Sequence, residues 1–338
     1  MLAQGEKVRS FENAFAEYIA VKHAIATANG TLALDTALKA LQLTSGDEVI
    51  VPAFSFIATG NCVLFQGSKP VFADINKKTF NIDPSDVNEK ITGKTKAIIA
   101  VHLYGQPAEM EELSEIASDN RLFLIEDAAQ AHGAEYKKQK AGSLGDVGCF
   151  SFYATKNITT GEGGMIVTNN DEVDRRARML RSHGESTKYH HLTLGYNYRM
   201  TELAAAIGLV QLGRLDEING KRIQNAEMLN EKINRIRGLT APYVDKHMKH
   251  VFYQYVIRVE ADYPLERDGL ASLLKSKGIG TAIHYPLPIY RQPLYRELGF
   301  SSASCPVTED ACKRVLSLPV HPSVTRSDIQ YICDACVG

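Results

Sequence analysis

Between residues 31 and 126, strand-length apolar runs alternate with helix-length segments: TLALDTALKAL, DEVIVP, IATGNCVLF, KPVFADI, PSDVNEKI, KAIIAVHLY, PAEMEELSEIAS and RLFLIED. Neighbouring parallel strands need a crossover, usually a helix, so this rhythm predicts an α/β fold on a mostly parallel, doubly wound sheet. In such sheets ligands collect at the carboxyl ends of the strands. The polar residues that end each run are therefore the ones to examine for chemistry.

After residue 140 the pattern becomes glycine-rich, with GSLGDVGCFSFY and TTGEGGMIVTN reading as short strands joined by tight turns. A helix is expected over residues 172 to 180, and a long helical stretch begins near Met200 with TELAAAIGLVQL, rich in small and apolar residues. That face must be buried, either within its own domain or against a second subunit. Downstream, FYQYVIRV reads as a strand, PLERDGLASLLKSKG as a helix and IHYPLPIYRQPLY as a loop, followed by two helical segments. At 338 residues the chain exceeds what one core usually organises. We expect a large α/β domain over 1–212 and a smaller α+β domain over 213–338.

Lys plus Arg (38) nearly cancels Asp plus Glu (39), with no long block of either sign, so nothing points to a nucleic-acid groove or an anionic membrane surface. The amino terminus is polar where a signal peptide needs an apolar core, and no apolar run is long enough to span a bilayer. The expected location is cytoplasmic. Six scattered cysteines read as reduced thiols, and the CxxC of Cys333 and Cys336 lacks the second ligand pair that a metal site would need. No metal is expected.

Lys156 lies in SFYATKNITTGEGG, after a predicted strand and among small residues. It is either a solvated loop lysine or a nucleophile that forms a Schiff base, which requires a partly neutral amine. Asp127 ends the run RLFLIED and is either a helix cap or a carboxylate that keeps a pyridine nitrogen protonated, the electron sink of pyridoxal-phosphate chemistry. Gly30 and Thr31 open a helix whose free N–H groups can bind phosphate, or Thr31 only caps it. Ser151, five residues before Lys156, can add a hydroxyl. Phe56 can stack on a planar ring or sit in the core. Gln130 can reach the phenolic oxygen of the same ligand or face solvent as a turn residue.

The motifs ANGTLALDTALKAL, GDEVIVPAFSFIAT, VHLYGQPAEM, IEDAAQAHGA, GSLGDVGCFSFYATKNITTGEGGMIVT and LGYNYRMTELAAAIG, in this order, resemble the sugar-nucleotide aminotransferases of the DegT/DnrJ type over nearly the whole chain. The resemblance implies fold type I architecture and a homodimer with two active sites at its interface. It implies pyridoxal 5'-phosphate bound to Lys156, with Asp127 on the pyridine nitrogen and Gln130 near the ring oxygen. Phe56 would stack on the ring, while Thr31 and Ser151 hold the phosphate. Asn197 would reach the phosphate of the neighbouring subunit's cofactor.

The implied reaction takes an amino group from glutamate and delivers it to a nucleotide-linked keto-sugar, with the released Lys156 moving the protons. His284 and Tyr285 in HYPLPIY resemble the family's substrate loop. Arg199 and the cluster His183, Lys188, Tyr189, His190 and His191 are further candidate contacts, or simply solvated loops. Family members usually carry a further segment before the element matching VRSFENAFAEYIA, so part of the dimer contact or substrate entrance is expected to differ here.

Other readings share the fold. A related branch dehydrates sugars, but its best-known members replace the Schiff-base lysine, which is present here as Lys156. A cofactor-binding regulator would need a DNA-binding element, and none is evident. Gln130 in EDAAQAHGA resembles the branch that aminates C3 of 3-keto sugars. The alternatives are C4 amination of a 4-keto UDP-, dTDP- or GDP-sugar, and amination of a cyclitol ketone.

Overall fold

A computed structural model describes residues 2–337. Its centre is a seven-stranded sheet. The strands are β1 (His23–Thr27), β2 (Glu48–Pro52), β3 (Lys69–Ala73), β4 (Thr95–Val101), β5 (Phe123–Asp127), β6 (Val147–Ser151) and β7 (Gly164–Thr168). Their spatial order is β1-β7-β6-β5-β4-β2-β3. From β3 to β6 every pairing is parallel, and β7 runs antiparallel to both of its neighbours. The predicted mostly parallel sheet is therefore observed, with one reversed strand that the glycine-rich TTGEGG turn introduces.

Both sheet faces are covered, which is why the strands read as continuous apolar runs rather than alternating ones. Val49, Val51, Ile99 and Ile125 point into one core with α2 (Gly30–Ala40), α3 (Ala58–Leu64) and α5 (Asp171–Arg181). Their neighbours Ile50, Ile98, Ala100 and Leu124 point into another, under α4 (Met110–Asn120). The period of two along each strand thus divides residues between two buried layers. α1 (Glu6–Ile19) closes the β1 side with Phe11 and Phe15, packed on Phe150 and Phe152.

The long helical stretch expected after Met200 is two helices, α6 (Glu202–Leu212) and α7 (Leu215–Ile233). They part at Gly213 and Arg214. Leu215 packs on the large-domain core, whereas Ala226, Leu229 and Ile233 belong to a separate core reaching to Cys336. That second core holds the antiparallel strands Leu239–Thr240, Tyr255–Val259 and Val315–Leu318. We propose 1–212 and 213–338 as the two domains, with α7 packing on both. No described helix is long and apolar enough to cross a membrane.

Candidate active site

The parallel strands all present their carboxyl ends to one side, and there a cavity of about 960 Å³ opens. Much of its lining comes from chain reversals at that edge, and Tyr253, His284 and Tyr285 complete it. β1 ends at Thr27 and the chain turns directly into α2, so the helix begins at the cavity. Asn29 caps it by accepting the N–H of Leu32 at 3.0 Å. Gly30 and Thr31 line the cavity with first-turn N–H groups that need an acceptor from outside the helix, an arrangement that favours an anion. Gly30 is required by a close approach: a Cβ there would come within 2.6 Å of the Ser151 Cβ. Ser151, at the end of β6, therefore stands against the helix start and adds its hydroxyl to the same anion site.

Asp127 ends β5, in register with Val101 on β4 and Cys149 on β6. It is 6% exposed yet lines the cavity. Thr59 donates its hydroxyl to Oδ2 at 2.8 Å, and the N–H of Ala129 reaches Oδ1 at 3.2 Å. Burial pushes the Asp127 carboxyl above its ordinary range, while the Thr59 and Ala129 bonds and the charge of Lys156 oppose that rise. Such a carboxylate gains most from a cationic partner inside the cavity, and a protonated pyridine nitrogen is one.

The preceding residue faces the other way. Glu126 is fully buried and accepts the N–H groups of Gly142, Leu144 and Gly145, each at 2.7 Å. His102 completes the set: its Nδ1 accepts the N–H of Ala108 at 3.1 Å, so its Nε2 carries the proton and donates to Glu126 at 2.8 Å. The backbone N–H of His102 donates to the Asp127 carbonyl at 3.0 Å. This buried cluster anchors the end of β5 and hence the base of the cavity.

Lys156 sits in the turn after β6, half-buried, with Nζ 4.3 Å from the centre of the Tyr253 ring. Tyr253 comes from the second domain and also meets the Thr155 hydroxyl at 2.9 Å. Phe56, 56% exposed, offers a ring face to the cavity 6.4 Å from the Tyr285 ring. Gln130 is held by Tyr104 and Tyr285. His284 joins the same wall, with Nδ1 3.1 Å from the Ser317 hydroxyl, and burial lowers its pKa.

Gly30, Thr31, Phe56, Asp127, Gln130, Ser151, Lys156, His284 and Tyr285 thus share one cavity. Asn197 and Arg199 do not line it. Asn197 is exposed, and the Arg199 Nε donates to it at 2.9 Å. The histidine-rich cluster forms an exposed hairpin, residues 185–187 paired with 190–191, also outside the cavity. Sequence reading overlooked Ser55, Tyr196, Tyr198 and Tyr253, which line the cavity, and Thr59 behind it. Tyr196 and Tyr198 flank Asn197 in GYNYRM, a spacing of two that marks a strand-like segment with one face turned inward; their rings stack at 4.7 Å.

An anion site at a helix start, a buried carboxylate, an amine and an exposed aromatic face are complementary to the phosphate, ring nitrogen, aldehyde and ring of pyridoxal phosphate. The donor set therefore fits that cofactor. Residues 1–337 match the DegT/DnrJ/EryC1/StrS aminotransferase family. The chain is 39% identical to the GDP-perosamine synthase of Escherichia coli O157:H7, covering 98% of this chain and 90% of that protein. It is 40% identical to the UDP-N-acetyl-3-dehydro-alpha-D-glucosamine 3-aminotransferase of Acidithiobacillus ferrooxidans, over 97% of this chain and 87% of the relative. The crystal structure of DesV from S. venezuelae superposes with a TM-score of 0.95 at 37% identity, covering 100% of this chain and 90% of DesV. The chain belongs to the DegT/DnrJ/EryC1/StrS aminotransferase family, and it is a pyridoxal-phosphate-dependent aminotransferase of fold type I.

Proposed function

We propose that this aminotransferase moves an amino group from L-glutamate to the keto group of a nucleotide-linked sugar, at C3. The convergence of Lys156 and Asp127 with the Thr31 and Ser151 anion site on one cavity carries this reading. At about 960 Å³ the cavity lies near the upper end of the roughly 300–1,000 Å³ usual for small-molecule sites, leaving room beyond a ring-sized cofactor for a second, larger ligand. Relatives named for GDP-perosamine and for UDP-linked 3-dehydro and 3-oxo sugars support a nucleotide sugar as that ligand. The names of the latter two, together with Gln130, favour a 3-keto over a 4-keto sugar.

When bound, pyridoxal phosphate supplies an electron sink and a carbonyl that carries nitrogen between donor and acceptor. The protein's part falls to the residues described above. Gly30 and Thr31, through the start of α2, and Ser151 fix the phosphate end. Asp127 would hold the proton on the ring nitrogen, and Phe56 would offer its ring to that of the cofactor. Lys156 would hold the cofactor through Nζ, and its amine would move a proton at the reacting carbon. His284 and Tyr285 face the substrate from the second domain.

The same reading makes the working unit a homodimer. On α6 only Ala205 and Gly208 are buried, while Leu203, Ile207 and Val210 are 72%, 49% and 66% exposed. Leu192 and Leu194 add 57% and 76% exposed side chains in the segment before Asn197. An apolar face of this kind is usually covered, and Asn197, outside its own cavity, is free to serve its neighbour's phosphate site. The test is to add L-glutamate to the cofactor-loaded protein, follow its conversion to the amino form spectroscopically, then offer nucleotide-linked 3-keto and 4-keto sugars. Amination of a 3-keto sugar is expected. Turnover with 4-keto sugars alone would overturn the C3 assignment, and no conversion by glutamate would overturn the donor.

A further inference from the structure

Behind Asp127 two hydroxyls form a chain that leads back to the cavity. Thr59 Oγ1 lies 2.8 Å from Asp127 Oδ2, and Ser55 Oγ lies 2.9 Å from Thr59 Oγ1. Thr59 is fully buried on α3, whereas Ser55, 5% exposed, lines the cavity on the turn before that helix. A threonine hydroxyl has one proton to give. If it goes to an ionised Asp127, the Thr59 oxygen becomes an acceptor, and Ser55 is the neighbour with a proton to offer. The order is then Ser55 to Thr59 to Asp127, each bond polarising the next. A protonated Asp127 would reverse it, since the acid would donate to Thr59 and Thr59 to Ser55.

The chain opposes the burial of Asp127, whose other oxygen has only the longer Ala129 bond. The remaining titratable groups around Asp127 are Lys156, His102, Tyr285, Cys62 and Cys149. Burial raises the pKa of Tyr285 and of both thiols, which keeps them neutral, and the His102 ring is occupied with Ala108 and Glu126. Thr59 is thus the side chain bonded directly to the carboxylate.

We propose that Ser55 and Thr59 are positioning residues, a directional hydroxyl relay that holds Asp127 ionised and aimed at the cofactor's ring nitrogen. This rests on the reading of Asp127 given above. Thr59→Val keeps the side-chain shape and removes the hydroxyl. Titration of the cofactor-free full-length protein with pyridoxal phosphate, followed by the absorbance of the lysine-bound cofactor, should show a dissociation constant roughly tenfold or more above wild type, as expected for losing a hydrogen bond to a charged group. Ser55→Ala, one bond further away, should raise it by about threefold, and Thr59→Ser should return it to within about threefold of wild type.

A double-mutant cycle separates the relay from mere packing. In the Asp127→Asn background, Thr59→Val should change the constant by less than about twofold, because the neutral amide no longer draws on the relay. An equal loss in both backgrounds overturns the proposal. Asp127→Asn alone distinguishes the two failures. If it leaves cofactor affinity and absorbance unchanged, the reading of Asp127 is wrong. If it weakens binding while Ser55→Ala and Thr59→Val bind as wild type, the relay alone is wrong. Should Thr59→Val not fold, Ser55→Ala decides, and unchanged affinity in that variant overturns the relay.

Discussion

The side-chain amide of Gln130 is held at both ends: Oε1 accepts the N–H of Tyr104 at 2.7 Å, and Nε2 donates to the Tyr285 hydroxyl at 3.3 Å. Tyr104 adopts φ 60°, unfavourable for a bulky residue, so Gln130 braces a strained turn as well as a cavity wall. Gln130→Leu would leave the buried Tyr104 N–H unpaired, at a cost of about 1–3 kcal/mol. Denaturant unfolding should register that loss, and kcat/KM should fall while the absorbance of the lysine-bound cofactor persists. An unchanged unfolding midpoint would contradict the bracing role.

Gly30→Ala should act on the phosphate end. The added methyl meets Ser151, and opening that contact should cost about 1–3 kcal/mol of stability. It should also weaken cofactor binding by roughly tenfold, because the helix start and the Ser151 hydroxyl can no longer converge on one anion. Titration with pyridoxal phosphate checks this, and wild-type affinity would refute the cradle.

Asp127 has a stability signature of its own. Burial raises its folded-state pKa, so the folded chain binds a proton more readily than the unfolded one. Its contribution therefore falls as pH rises from the unfolded-state carboxylate pKa through the folded value, and the loss persists at neutral pH. The cofactor-free Asp127→Asn variant should accordingly melt at or above the wild-type temperature at neutral pH, although it binds cofactor more weakly. Thermal melts at acidic and neutral pH measure this. A variant markedly less stable than wild type at neutral pH would contradict it.

Ile207→Asp places a charge in the exposed face of α6 beside Leu203 and Val210. Sedimentation velocity should show wild-type dimers and variant monomers, with cofactor affinity lowered because Asn197 no longer reaches the neighbouring site. A wild-type protein that is monomeric with full activity would remove the shared-site reading.

The residues legible in the sequence share one property. Asp127, Ser151 and Thr31 stand where a regular element meets the sheet's carboxyl edge, and a period-two or helical pattern locates such edges without knowledge of the packing. Thr59 was not legible because its meaning lies in a contact across 68 residues, and ATGNCVL reads locally as any small apolar helix. Tyr253 was hidden for the same reason, since its ring matters only where the second domain meets Lys156. Asn197 and Arg199 lie outside the cavity of their own chain, and the proposal that Asn197 serves a neighbouring subunit rests on a motif rather than on a contact within one chain.

Lys156 is the residue proposed to carry the cofactor. Borohydride reduction of the cofactor-loaded enzyme, followed by digestion and mass spectrometry, should place a reduced phosphopyridoxyl group on the peptide containing Lys156, and Lys156→Ala should abolish both that adduct and turnover. A phosphopyridoxyl group on another lysine, or retained transamination in Lys156→Ala, would contradict the account.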